Sequence, residues 1–195
     1  QQIIHKDINP SNALVGPDDR LKLSDFGIAT ALSRENPEVR SPGEVEGTLA
    51  YISPEQTGRM NRPVDYRTDL YSLGATFYEL FTGAVLFATD DMMDIVHGHL
   101  ARRPTPPRER APEVPSVLSD LLLRLLAKTP EERYQSVRGV ARDLRECLAR
   151  LTPEGDISPF ALGASDRSER FEVPQRLYGR DAELMLPISS AGLTL

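Results

Sequence analysis

Residues 5–12 read His-Lys-Asp-Ile-Asn-Pro-Ser-Asn, and two further segments follow in order: Asp25-Phe26-Gly27, then Gly47-Thr48-Leu49-Ala50-Tyr51-Ile52-Ser53-Pro54-Glu55. Any one of these alone reads as a turn, because Asp, Asn and Gly are ordinary turn residues. Together, in this order and spacing, they read as a site. Between the first two, Ala13-Leu14-Val15 and Leu21-Lys22-Leu23 are short apolar-rich runs flanking the turn-rich Gly16-Pro17-Asp18-Asp19-Arg20, which predicts a β-hairpin. With the turn centred between Asp18 and Asp19, Asn12 faces Asp25 across the open end of the hairpin.

A carboxylate beside an amide oxygen, with no His or Cys, suits a hard cation such as Mg²⁺ that also takes oxygens from a nucleotide's phosphates. Asp7, just ahead of Asn12, then sits next to those phosphates as an acceptor for a hydroxyl proton. That is the arrangement phosphoryl transfer needs.

Composition narrows the alternatives. The 195 residues carry 23 Lys+Arg against 29 Asp+Glu, a net charge of -6, which disfavours a general electrostatic affinity for nucleic acid or anionic membrane. A content of 39% hydrophobic and 27% charged residues is that of an ordinary globular chain with a core. The single cysteine, Cys147, cannot form an internal disulfide, and no Cys/His cluster has zinc-ligand spacing. No apolar run approaches the roughly 20 residues of a membrane span and no leader opens the chain, so a cytoplasmic location is expected. The chain starts at Gln1 and enters a motif at once, as a piece of a longer protein would.

The remaining pattern is helical. Arg67 to Thr82 is apolar on nearly every side and predicts a helix buried all round, the hub of the core. Asp90 to Arg102 reads as a helix opened by acidic residues and ended by Pro104-Thr105-Pro106-Pro107. Leu118, Leu121, Leu122, Leu125 and Leu126, and again Val137, Val140, Ala141, Leu144, Leu148 and Leu151, mark two amphipathic helices packing on the hub, with Cys147 as a small core hydrophobe. His97 and His99, two residues apart, fall on different helix faces and read as solvated side chains. Residues 28 to 66 lack a sustained period and predict a long ordered loop with one helical turn after Ser53-Pro54-Glu55. Residues 152–172, rich in Pro, Gly, Ser and charge, have the composition of a linker, with a domain boundary near 152.

The three segments resemble the catalytic loop, the D-F-G element and the A-P-E element of eukaryotic-type serine/threonine protein kinases, with Ser53-Pro54-Glu55 for the last. The resemblance covers about residues 1 to 150, the C-terminal lobe. It implies a mainly α fold, a helical bundle with a small β-hairpin carrying the catalytic loop and Asp25-Phe26-Gly27, in a unit spanning residues 1–151. It implies Asp7 as the catalytic base, His5 as a brace of the loop, Asn12 and Asp25 as Mg²⁺ ligands, and Phe26 and Gly27 as their neighbours in the nucleotide site. Lys6 stands where the family has an Arg that pairs with a phosphorylated activation segment, and Asn9 where it usually has a Lys that contacts the transferred phosphate. Thr48 matches the threonine that contacts the base and reads a Ser/Thr acceptor. Asp69 resembles the buried Asp that tethers the catalytic loop, and Glu55 with Arg133 the ion pair that clamps the activation segment. In that segment Ser33 or Ser41 is the expected regulatory phosphosite.

ATP and Mg²⁺ are the implied cofactors and a protein with a Ser/Thr acceptor the implied partner. The Gly-rich loop, strand lysine and helix glutamate of the N-terminal lobe are absent from these residues, so the fragment by itself is expected to be inactive. Leu177 to Leu184 resembles the entry segment of AAA/STAND-type signalling ATPases, making 173–195 the start of a second domain. Large bacterial kinases that continue into such ATPase and sensor domains are the group most similar. The alternative expectation is a pseudokinase or docking module that regulates an adjacent ATPase.

Overall fold

A computed structural model describes residues 3–31, 48–60 and 62–167. Four short strands come first: β1 (Ile3–Ile4), β2 (Ala13–Val15), β3 (Leu21–Leu23) and β4 (Thr30–Ala31). Five helices follow: α1 (Arg67–Thr82), α2 (Met92–Ala101), α3 (Pro107–Arg110), α4 (Ser116–Leu125) and α5 (Val137–Arg150). The described chain is mainly helical, as the periodicity predicts. β2 and β3 form the expected antiparallel hairpin, and β1 pairs antiparallel with β4, closing residues 5–29, hairpin included, into one structural loop. That second pair has only two residues per strand, too short to leave a pattern in the sequence.

The hairpin register differs from the expected one. Ala13 faces Leu23, Leu14 faces Lys22 and Val15 faces Leu21. Gly16 N–H donates to Arg20 O at 2.9 Å, and Asp19 adopts a left-handed φ of 55°. The turn is thus a three-residue loop ending in a left-handed residue rather than an even-numbered one. The consequence is that Ser24, not Asp25, lies against Asn12, with Ser24 N–H donating to Asn12 O at 2.9 Å.

α1 is the hub for most of its length. Leu70, Tyr71, Ala75 and Tyr78 are buried, and Thr68, Ser72 and Thr76 are buried beside them. Its last turn is not enclosed: Leu80 and Phe81 are exposed. Gly74 lets α4 approach closely, since a Cβ there would stand 2.7 Å from Leu125 Cβ. Leu121, Leu122 and Leu125 of α4 fill the core with Leu70 and Tyr134, and α5 joins it through Val140 and Cys147. Cys147 is a buried free thiol, as expected, while Val137 and Leu148 of the predicted apolar stripe are exposed. The helix has rotated to bury Asp143, whose Oδ2 accepts from Tyr134 Oη and Gly163 N at 2.6 Å each.

Two positions depart from their compositional reading. His97 is exposed, but His99, expected in solvent, is fully buried between α2 and α1, with Nδ1 3.0 Å from Tyr71 Oη. Residues 152–167, which look like linker, pack on the helical unit. Ile157 is 4% exposed and bridges Leu151. Phe160 and Leu162 lie against the core, and Asp166 accepts from Gln135 N at 2.6 Å and Ser136 Oγ at 2.9 Å. Ser33, Ser41, the rest of 32–47 and the ATPase-like segment from 173 lie outside the described residues.

Candidate active site

The loop of residues 5–12 is held from beneath by the first turn of α1. Asp69 accepts from two successive amides, His5 N at 2.8 Å through Oδ2 and Lys6 N at 2.8 Å through Oδ1. Burial pushes the Asp69 carboxyl up from its usual range, and the two amides pull against that shift. Lys6 sits at φ 69°, a conformation that a long side chain rarely adopts, and such backbone strain costs about 1–3 kcal/mol unless the surroundings hold it. Here they do: Asp69 takes its N–H, and Gln56 Nε2 donates to its carbonyl at 2.7 Å. Lys6 is 3% exposed, so its side chain belongs to the interior of the loop.

His5 braces the same loop from the other side. Its Nδ1 accepts from Asp7 N at 3.3 Å, which leaves the hydrogen on Nε2 to reach Ser24 O at 3.0 Å. The ring also packs against Phe26, with centroids 4.6 Å apart. One neutral imidazole therefore ties residues 5–7 to residues 24–26.

Asn12 and Thr48, from two separate stretches of the chain, meet at Asp7. Its Oδ1 accepts from Thr48 N at 2.9 Å and its Oδ2 from Asn12 Nδ2 at 3.0 Å. Asn12 Nδ2 also donates to Asp7 O at 2.9 Å, so both amide hydrogens of Asn12 are directed at Asp7. Asn9 is turned inward. Its Oδ1 caps the short turn Pro10–Asn12 by accepting from Ser11 N and Asn12 N, and its Nδ2 donates to Asp7 O at 3.2 Å and Thr48 Oγ1 at 3.3 Å. Asn9 is therefore a local capping residue that links the loop to Thr48, with both amide hydrogens already engaged.

Asp25, Phe26 and Gly27 are exposed. Asp25 is left-handed at φ 59°, and its Oδ1 accepts from Gly27 N at 3.2 Å. Short polar Asp tolerates this conformation better than most residues. The donor set fits a hard cation shared with phosphates: a carboxylate from Asp25 and the Oδ1 of Asn12, whose nitrogen is turned away to Asp7. Among the described residues no cluster of three or more His, Cys, Asp or Glu forms a metal cage, and Mg²⁺ bound with a nucleotide needs none.

The stretch that runs on from Thr48 is clamped at Glu55. Arg133 grips Glu55 with both ends of its fork, Nη1 to Oε1 at 2.7 Å and Nη2 to Oε2 at 2.8 Å, and both side chains are buried. Arg133 also donates to Ala127 O, Arg67 O and Lys128 O, so all five guanidinium hydrogens have acceptors. Thr68 Oγ1 donates to Glu55 Oε1 at 2.8 Å. Just ahead of Glu55 in the chain, Tyr51 Oη donates to Glu79 of α1, and burial first, with the carboxylate second, raises the phenol well above its normal range.

Gln56 was not singled out from the sequence, yet it connects this clamp to Lys6 O while its Oε1 accepts from Ser53 N at 3.0 Å. The signal was present: Ser53-Pro54-Glu55-Gln56 is the S-x-x-Q pattern of a capping box. No sequence pattern points to the Tyr51–Glu79 bond, because the partners come from distant elements.

The protein kinase domain family matches residues 1–144. The serine/threonine-protein kinase PknB of Mycolicibacterium smegmatis is 34% identical over 172 residues, covering 88% of this chain and 27% of that protein. PknB of Mycobacterium leprae is 36% identical over 166 residues, covering 85% of this chain and 26% of the relative. The hybrid signal transduction histidine kinase G of Dictyostelium discoideum is 38% identical over 157 residues, 70% of this chain and 5% of that protein. The chain thus spans about a quarter or less of the length of these relatives. No helix among the described residues is long and apolar enough to cross a membrane. With a family match over most of its length and PknB-type relatives above 30% identity, the chain belongs to the protein kinase family, in its bacterial-type serine/threonine branch.

Proposed function

We propose that this chain is the C-terminal lobe of a serine/threonine protein kinase, and that within its full-length protein it transfers phosphate from Mg·ATP to Ser/Thr hydroxyls. The observation that carries the reading is the setting of Asp7. Both carboxylate oxygens are oriented, one by Thr48 N–H and one by Asn12 Nδ2, and each keeps a lone pair free for an acceptor hydroxyl. Asp7 positions that hydroxyl and takes its proton as phosphate is transferred. Asn12 Oδ1 and the Asp25 carboxylate hold Mg²⁺, which supplies neutralisation of the phosphate charge when bound with nucleotide. Asp69 and His5 hold the loop still, and the Glu55–Arg133 clamp fixes the segment that ends in the acceptor-reading turn. Thr48, next to Asp7, favours Ser/Thr acceptors.

The kinase unit is one module of a longer cytoplasmic signalling protein, with an ATPase-type domain beginning near 173. One relative, named as a hybrid signal transduction histidine kinase, is matched over only 5% of its length, which is compatible with a kinase unit inside a much longer signalling protein. The test uses the full-length protein with radiolabelled ATP, Mg²⁺ and casein, set against Asp7→Ala. Label that appears with the wild type and is lost with Asp7→Ala supports the kinase and its base. One observation favours the rival docking module: Asn9 keeps its amide inside the loop and brings no charge to the transferred phosphate. Nucleotide binding without label transfer by the full-length protein decides for that rival.

A further inference from the structure

His99 is fully buried in α2, and its Nε2 makes no well-formed hydrogen bond, although the backbone of Leu49 and Ala50 lies within reach of the ring. A buried polar atom left unpaired costs about 1–3 kcal/mol and is uncommon, so what it faces matters. The ring faces the backbone of Leu49 and Ala50, and α2 packs against the turn Leu49–Tyr51. That turn directly follows Thr48, whose N–H binds Asp7.

The opposite side of the ring defines the proton. His99 Nδ1 lies 3.0 Å from Tyr71 Oη, and Lys128 Nζ approaches the same oxygen at 3.5 Å while donating to Gly98 O at 2.9 Å. An ammonium group only donates, so Tyr71 Oη accepts from Lys128, and the arrangement in which that hydroxyl passes its own hydrogen to Nδ1 leaves no hydroxyl hydrogen unused. His99 is then the tautomer with its hydrogen on Nε2, directed at the Leu49–Ala50 backbone. The edges of Tyr71 and Phe87 enclose the ring, with centroids 5.7 and 5.1 Å away, so it has little freedom to turn elsewhere.

Resting on the kinase reading above, we infer that His99 is a positioning residue for the protein acceptor: its Nε2–H closes onto a carbonyl of Leu49 or Ala50 when the acceptor chain seats on that turn. The relay Lys128–Tyr71–His99 thereby fixes the turn that carries Thr48. His99 touches neither nucleotide nor reacting atoms, so its removal shows in acceptor affinity before anything else.

The test compares His99→Asn with His99→Gln in the full-length protein, using casein as acceptor. The Asn amide reaches the position of Nδ1 and keeps the Tyr71 contact. The Gln amide nitrogen reaches the position of Nε2. His99→Asn should raise the KM for casein roughly five- to twentyfold, with kcat and the KM for ATP within about twofold of wild type, and His99→Gln should restore it. A normally melting Asn variant with unchanged casein KM overturns the inference. So does a uniform loss of kcat and both KM values that follows the loss of melting temperature and is not rescued by Gln. If the wild type transfers no phosphate, the kinase reading fails, and amide exchange over residues 48–52 decides the inference separately. There His99→Asn should speed exchange and His99→Gln should not; equal rates in all three proteins overturn it.

Discussion

Asp7 and Asp25, the two carboxylates that the proposed chemistry needs, stand in opposite surroundings. Asp7 has a hydrogen-bond donor on each oxygen and sits on a loop whose backbone is tied to Asp69, a half-buried aspartate of the hub helix. Asp25 is exposed on the end of a hairpin whose Leu14, Val15 and Leu21 are also exposed, and only Gly27 N–H steadies its carboxylate. The side of the site that handles the acceptor is therefore preorganised by the helical unit itself, through Asp69, Gln56 and the Glu55–Arg133 clamp. The side that handles the cation and nucleotide has little buried structure behind it. Preorganisation lowers the cost of forming a reactive geometry, so substitutions on the two sides should act through different observables.

The strongest way to break that contrast is to attack the clamp. Glu55→Ala leaves the Arg133 guanidinium buried without its carboxylate, and should lower stability of the full-length protein's kinase unit by ~3–5 kcal/mol in denaturant unfolding. A loss below ~1 kcal/mol would show that the segment is not held as the geometry implies. Next comes Asp7→Asn, which keeps the shape of the side chain but not its basicity. Phosphate transfer to casein should drop by about 10²–10⁴-fold, while the melting temperature moves little.

A third measurement probes the buried interior behind the acceptor turn. Burial first, and the charge of Lys128 second, lower the His99 pKa to about 3, below its unfolded value of about 6.5. Because the depressed group is a base, its contribution is fully present above about pH 6.5 and is lost as pH falls toward 3. Stability should decline by ~1.4 kcal/mol per pH unit across that window, about 2 kcal/mol between pH 7 and 5. Urea unfolding at pH 7, 6 and 5 reads this slope, and His99→Gln should flatten it; parallel profiles would refute the assignment. The smallest stability effect belongs to the exposed side. Asp25→Asn, which tolerates the left-handed backbone, should change unfolding free energy by no more than ~0.5 kcal/mol while abolishing label transfer. A large stability loss there would erase the contrast.

Much of this was legible in the chain. HKDINPSN, Asp-Phe-Gly and the Ser-Pro-Glu element mark the site because local chemistry demands those residue types at those spacings. The four longer helices follow from pattern: α4 and α5 from apolar residues repeating every three to four positions, α1 from a run apolar on nearly every side, and α2 from its acidic start and proline stop. Other features were out of reach for specific reasons. The composition of 152–167 looks like linker, yet Ile157 and Asp166 dock it, because a few well-placed side chains suffice when the partner surface is already built. The hairpin register moved by one because Asp19 adopts a left-handed turn that residue identity alone leaves undecided.

The sequence by itself determined the family, the helical framework and the identity of the acid, amide and carboxylate at the proposed site. Only the tertiary structure decided which atoms of those residues are committed. Asn9 caps a turn instead of reaching outward, Asn12 turns its nitrogen to Asp7, and His99 is buried in the helix that packs on the turn Leu49–Tyr51. The physical reason is that a hydrogen bond depends on distance and direction to within a few tenths of an ångström. Contacts between residues dozens of positions apart, such as Asp69 with His5 or Glu55 with Arg133, exist only once the hub helix has brought them together.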